Sequence, residues 1–256
     1  MCLLVVVSRV LAEWPLIVAA NRDERYDRAA SAVQLLRSDC PRTLGGRDLL
    51  AGGTWLAVNE RGVVAGLTNL PTSTRDPTKR SRGEIPLMLT SGGSAAEGAA
   101  SFVSAAVAED YNPCWVLVGD RARLFSIEVT GSGPVSRLEL PPGVHVLENT
   151  PLGNPSTKVA HVRDRLRDAG RRSGDELLVL LQEVISDHTV TRPVTEPGRQ
   201  AAQRSLGSAC CVHSDGYGTR SSMLIRVPRS GSQEPEVLAS DGPCCTRALM
   251  RATFDA

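Results

Sequence analysis

Apolar residues fall in short runs through the first third of the chain. Segments 2–8 (CLLVVVS) and 16–21 (LIVAAN) flank a short polar connection, and 53–59 (GTWLAVN) and 62–69 (GVVAGLTN) are joined by Glu60 and Arg61. All four are rich in Val, Leu and Ile, which predicts hairpins in a sheet covered on both faces. From Gly83 to about Glu109 the pattern changes. Alanine-rich segments follow Pro86 and the Ser91-Gly92-Gly93 break, predicting two helices. Strand-like runs return at 114–129, 135–140 and 143–149. Helical spacing resumes at 156–170, where Val159, Val162 and Leu166 recur at three and four and Gly170 is a natural stop. A second helix starts at Gly174-Asp175, and a Pro, Gly, Thr and Gln loop covers about 189–208, longer than compact domains leave without a purpose. Strands at 221–227 and 236–240 complete the count. This order predicts a single α+β domain over residues 1–256, with helices on the outer faces of its sheets.

Composition narrows the function classes. With 29 Lys and Arg against 28 Asp and Glu, the net charge of +1 offers no field for nucleic acid or anionic lipid. Basic stretches at 75–82 and 163–172 are mixed with acids or turn formers and read as solvated surface. The first apolar run is short, carries Arg9 and has no charged region before it, so it does not read as a secretory signal, and no run reaches the roughly 18 apolar residues of a membrane span. A cytoplasmic protein with reduced thiols is expected. The seven cysteines include no C-x-x-C, and the adjacent pairs Cys210-Cys211 and Cys244-Cys245 suit neither relaxed disulfide geometry nor paired metal ligation, so no metal site is expected.

The candidate chemistry lies at the ends of apolar runs. Cys2 stands directly behind Met1. A cysteine there can be a small core residue, or, with Met1 removed, a residue carrying both a thiol and a free amine. The run LIVAA leads straight into Asn21, Arg22, Asp23 and Glu24; other apolar runs end in Thr68-Asn69 and Glu148-Asn149, and the polar block YGTRSS at 217–222 precedes MLIRV. Asparagine is disfavoured in strands, so its repeated place at their ends points to a site.

The initial Met-Cys, AANRDE, GGTWLAVN, LTN, SRGE, LEN with Lys158 after it, and YGTRSS resemble, in order, the transport and Golgi organization protein 2 family, also called the NRDE family. The resemblance spans nearly the whole chain. That family looks like an offshoot of the N-terminal nucleophile hydrolases, similar to cholylglycine hydrolases and penicillin acylases, which implies a four-layer α-β-β-α sandwich. It also implies a mechanism. The freed α-amine, with a pKa near 8, serves as general base for the Cys2 thiol, near 8.5. Arg220, or Arg22 as a second candidate, supplies a positive field that favours thiolate. Asp23 orients the amine, and Asn69 and Asn149 donate toward the oxygen of an acyl transition state. Asn21 and Glu24 are supporting positions, and Trp55 is either core or a flat contact for substrate. The implied activity is hydrolysis of a non-peptide C–N amide bond in a small molecule through a Cys2 thioester, with no cofactor required. Pocket walls are expected from loops such as 70–82 and 189–208.

The family offers rival readings. Its link to haem movement makes haem binding an alternative, with His145, His161, His188, His213 and the Cys40-Pro41 pair as the ligands this chain could offer. A secretion or Golgi organisation role is a third. No coiled-coil heptad, basic amphipathic helix or low-complexity tail accompanies it.

Overall fold

The computed structural model describes residues 2–70, 75–192 and 207–255. Its first strands are β1 (Cys2–Ser8), β2 (Leu16–Arg25), β3 (Ala30–Arg37), β4 (Thr43–Asp48), β5 (Leu56–Asn59) and β6 (Val64–Asn69). Helices α1 (Glu84–Leu89) and α2 (Ala95–Ala105) follow, then β7 (Cys114–Gly119), β8 (Leu124–Val129), β9 (Ser136–Glu139) and β10 (Gly143–Leu147). Helices α3 (Thr157–Arg165) and α4 (Gly174–Ile185) precede β11 (His213–Ser214), β12 (Tyr217–Val227), β13 (Glu236–Ser240) and β14 (Met250–Ala252).

The strands form two antiparallel sheets. One runs β10-β1-β2-β12-β13-β14, with β11 paired to β12; the other runs β3 through β9 in chain order. The two expected hairpins therefore belong to different sheets, and β9 and β10, adjacent in sequence, also part company. Three apolar layers explain the packing. Leu4, Val6, Val18 and Ala20 meet Leu56, Val58, Val64 and Leu117 between the sheets. The opposite face of β1 and β2, with Leu3, Val5, Ile17 and Ala19, is covered by Val159, Val162, Leu177 and Leu181 of α3 and α4. Val63, Ala65, Val116 and Val118 lie beneath Ile85, Leu89, Ala99 and Phe102 of α1 and α2. This is the α-β-β-α order. Burial on both faces is why these strands read as continuous apolar runs.

Helix starts follow their caps. Ser94 and Ser156 each accept from the amide three residues on, and Ser173 forms a reciprocal capping box with Glu176. Helix α3 ends at Arg165, before the expected stop at Gly170, because a turn of 3-10 helix at Ala169–Arg171 completes that segment. Strands β3, β4 and β14 were not evident from the apolar pattern. In β4, Gly45 and Gly46 occupy positions where any side chain would collide: a Cβ on Gly46 would lie 2.3 Å from the Trp55 ring.

Two polar blocks also differ from expectation. NRDER is the end of β2 itself, and YGTRSS is the start of β12; the two pair from Tyr217 opposite Arg25 to Ser222 opposite Asn21. The ladder keeps these residues in strand conformation despite weak propensity. A bulge falls between Thr219 and Ser221 and leaves Arg220 outside the register. None of the described helices is long and apolar enough to cross a membrane.

Candidate active site

Period-two alternation along β2 sorts its polar residues onto two faces. Cys2 pairs directly with Arg22, so their side chains share the face that looks between the sheets, while Asn21 and Asp23 belong to the face turned toward α3 and α4. At the mouth of the inter-sheet layer lies a cavity of about 330 Å³ lined by Cys2, Arg22, Asp23, Glu24, Trp55, Asn69 and Asn149, among others. Six arginines, at 22, 25, 28, 75, 80 and 82, face three carboxylates, Asp23, Glu24 and Asp48, around it.

Asn149, just beyond β10, holds the nitrogen of the cysteine. Its Oδ1 accepts from the Cys2 N at 2.9 Å, and its Nδ2 donates to the Asn69 carbonyl at 2.5 Å. Both halves of that amide are thereby used. The Asn69 side-chain amide, by contrast, lines the cavity and makes no hydrogen bond among the described residues. Burial pushes the Cys2 thiol above its ordinary range; the Asp23 carboxylate adds to this, while the Asp23 backbone N–H and the Arg22 guanidinium oppose it.

Arg22 is 5% exposed, lies 4.5 Å from the centroid of the Trp55 ring, and donates through Nη2 to Asp48 Oδ2 at 3.1 Å. Its Nη1 is buried and has no hydrogen-bond partner among the described residues. Asp48 is shared with Arg28, whose Nε and Nη2 approach its two oxygens at 2.7 and 3.2 Å. Glu24 lies 3.8 Å from Arg22 and 3.7 Å from Arg28. Arg82 donates to the Pro113 carbonyl at 3.0 Å, and neither it nor Arg75 has a carboxylate partner among the described residues. Burial lowers the Arg82 pKa; nearby Cys114 opposes it, and the charges of Arg75 and Arg28 add smaller downward contributions.

On the helix-facing side, Asn21 Nδ2 donates to the carbonyls of Ile185 at 2.7 Å and Cys210 at 2.9 Å, and its Oδ1 accepts from Ser222 Oγ at 2.6 Å. Asp23 Oδ1 accepts from Thr219 Oγ1 at 2.7 Å. Burial raises the Asp23 pKa, against the pull of Lys158 and the Thr219 hydroxyl. Lys158 is 1% exposed, and its Nζ makes no hydrogen bond among the described residues.

The cavity thus brings together Cys2, Arg22, Asp23, Glu24, Trp55, Asn69 and Asn149. Arg220 does not line it. Displaced by the bulge, its guanidinium donates to the carbonyls of Arg25 and Tyr26, and the cationic group beside the thiol is Arg22. Asn21 supports β2 from behind. Trp55 precedes β5, half-buried, as a wall of the cavity. The stretch 75–82, whose charge reads as solvated surface but which belongs to the loop expected to wall the pocket, supplies Arg75, Arg80 and Arg82 to that wall. The SRGE segment and the charge run were the available signals. Most of loop 189–208 lies outside the described residues, and its described members do not line the cavity. Among the haem-ligand candidates, His145 contacts the Pro141 carbonyl, His161 contacts Asp187, and Cys40 accepts from Arg61; none of these lines the cavity. His188 and His213 lie side by side, ring centroids 5.0 Å apart.

The sequence profile of Transport and Golgi organisation 2 matches residues 1–234. The chain belongs to the Transport and Golgi organisation 2 family. Family relatives include the Bos taurus Transport and Golgi organization protein 2 homolog, 31% identical over 88% of this chain and 88% of that protein. The Mus musculus homolog is 29% identical over 84% and 83%. Among solved structures, a mutant of the conjugated bile acid hydrolase from Clostridium perfringens superposes with a TM-score of 0.54 at 11% identity, covering 100% of this chain and 94% of that one. The Caenorhabditis elegans ortholog of N-acylethanolamine-hydrolyzing acid amidase gives 0.55 at 13% identity, covering 91% and 95%. At such identities the likeness is one of fold. This Transport and Golgi organisation 2 family member has the N-terminal nucleophile hydrolase-like sandwich that its motifs implied.

Proposed function

We propose that this family member, once Met1 is removed, hydrolyses the C–N amide bond of a small molecule bearing an anionic group. The observation that carries the reading is the placement of Cys2 in a cavity where its nitrogen is held by Asn149 and its surroundings are dominated by arginine. A buried thiol with a raised pKa is largely protonated at neutral pH, so it needs a base. The α-amine of the same residue is that base. Sγ bonds to the acyl carbon while the amine takes the thiol proton, and Asn69 Nδ2 donates to the developing oxyanion. Collapse breaks the C–N bond, and the amine returns the proton to the leaving nitrogen. Water then attacks the thioester, giving up a proton to the amine; the carboxylic acid leaves and the thiol is restored.

Asn149 Oδ1 orients the amine, and Asp23 compensates its positive charge when protonated. Arg22 is the group that favours developing thiolate. The anionic preference follows from charge: Arg22, Arg75 and Arg82 all line the cavity, and Arg75 and Arg82 lack carboxylate partners among the described residues. An anion accepting from such groups makes charge-assisted hydrogen bonds. The fold likeness to hydrolases named for conjugated bile acids and N-acylethanolamines supports amide chemistry in general.

The test uses the purified full chain with Met1 removal verified by intact mass. Matched acyl anilides, one a 4-aminobenzoate and one its neutral carboxamide, report amine release. Faster release from the carboxylate, lost in Cys2→Ala, is the expected result. Release that persists in Cys2→Ala, or none from either anilide with Met1 absent, would overturn the reading.

A further inference from the structure

Away from the cavity, three separate parts of the chain bring soft donors to one point. His188 follows the end of α4, Cys211 and His213 lead into and begin β11, and Cys245 lies in the turn after β13. We propose that His188, Cys211, His213 and Cys245 form a Cys2His2 site for a tetrahedral divalent metal, zinc being the ion its donor set suits.

Geometry carries this. One donor atom from each residue lies within 4.8 Å of all the others. Sulfur bonds of about 2.3 Å and nitrogen bonds of about 2.0–2.1 Å at tetrahedral angles would separate S from S by about 3.8 Å and S from N by about 3.6 Å. The Cys211 and Cys245 sulfurs are 3.6 Å apart, Cys211 Sγ is 3.6 Å from His213 Nε2, and His213 Nε2 is 3.3 Å from Cys245 Sγ. These are the three edges of one face of a coordination tetrahedron, with the His188 donor within 4.8 Å of each of its corners. They are also far longer than the roughly 2.0 Å of a disulfide. Two thiolates and two imidazoles match zinc, which prefers four-coordinate N and S donors.

The surroundings fit. His188 Nδ1 lies 3.2 Å from the Cys211 carbonyl, which can only accept; donation there keeps the proton on Nδ1 and leaves a lone pair on Nε2. Cys211 N donates to the Asp187 carbonyl at 2.8 Å, fixing the Cys211 segment beside His188.

Adjacent cysteines conceal the arrangement in sequence. One member of each pair, Cys211 and Cys245, points to the site, while Cys210 and Cys244 belong to the apolar layer under α4. The metal would tie the end of α4 to β11 and to the chain's last turns. It would thereby fix Cys210 and Val212, which hydrogen-bond to Asn21 and Thr219 behind the reactive strand.

The experiment is metal analysis of the full chain, expressed in zinc-supplemented medium and purified under reducing conditions. About one zinc per chain is expected, with thiolate-to-metal charge transfer and tetrahedral d–d bands after cobalt replacement. His213→Ala and Cys245→Ser, each removing a donor, should lower affinity by well over tenfold, Cys245→His should retain binding, and Cys40→Ser should not alter it. The cobalt spectrum of the unmodified chain decides between the outcomes even where a variant fails to fold. Absence of metal, metal retained by both ligand variants, or an intact mass lower by about 2 Da with a Cys211–Cys245 disulfide would each overturn the site.

Discussion

The two faces of β2 present opposite solutions to placing polar groups inside a sandwich. Behind the strand, Asn21 spends its amide on two carbonyls and a hydroxyl, a satisfied junction between β2, α4 and β12. In front, among the described residues, Arg22 has one hydrogen-bonded carboxylate and leaves Nη1 without a partner. A fully used polar group specifies structure; a buried donor left open is suited to something that comes and goes. Consecutive residues thus serve scaffold and site through nothing more than strand alternation.

The largest expected effect tests the scaffold face. Asn21→Ala strips partners from two buried carbonyls and the Ser222 hydroxyl and should cost about 3 kcal/mol in denaturant unfolding. A loss below about 1 kcal/mol would break the comparison. Arg22→Met tests the other face. Because Arg28 keeps both Asp48 oxygens paired, the change leaves no buried carboxylate unpaired, and stability should stay within about 1 kcal/mol. Under the proposed reading, KM for the carboxylate anilide should rise tenfold or more, the equivalent of about 1.5 kcal/mol for one charged hydrogen bond.

Asp23→Asn sharpens the contrast further. Because the folded pKa of Asp23 is raised, its stabilising contribution is present below the unfolded value near 3.9 and is lost as pH rises through the folded one. The Asn variant should therefore melt higher than the parent at pH 8, with the difference vanishing in acid, while turnover falls. Asp187, on the scaffold side, has the opposite sign. Burial alone would raise it, but hydrogen bonds from Thr189 and His161 hold it down at about 2. Its contribution is complete above the unfolded value near 3.9 and disappears as pH falls toward 2. A melting series should show that acid slope reduced in Asp187→Asn, the smallest of these effects because the group is partly solvated.

Much of this was legible from the chain alone, for identifiable reasons. The apolar runs of β1, β2, β6 and β7 announce themselves because both faces of each sheet are covered. Strands β3 and β4 do not: β3 is a half-exposed edge, and β4 depends on Gly45 and Gly46 yielding space to neighbours distant in sequence. NRDER looked like an exit from a strand because propensity is local, whereas its pairing with β12 is not. The Arg220 position turns on a single bulge, which leaves no mark in composition. The arginine wall was half visible, for a different reason. Residues 75–82 carry four basic side chains against Asp76 alone and so read as solvated charge, yet the fold brings the arginines at 75, 80 and 82 to the wall of one cavity.

Asn149 bridges the layers: it joins the head of β1, in one sheet, to the tail of β6, in the other. Under the proposed chemistry, the catalytic couple has its working alignment only when both halves of the sandwich have met. A nascent chain still missing one half would carry the sulfur without its trigger. Completion of folding would then serve as the safety catch on acyl transfer.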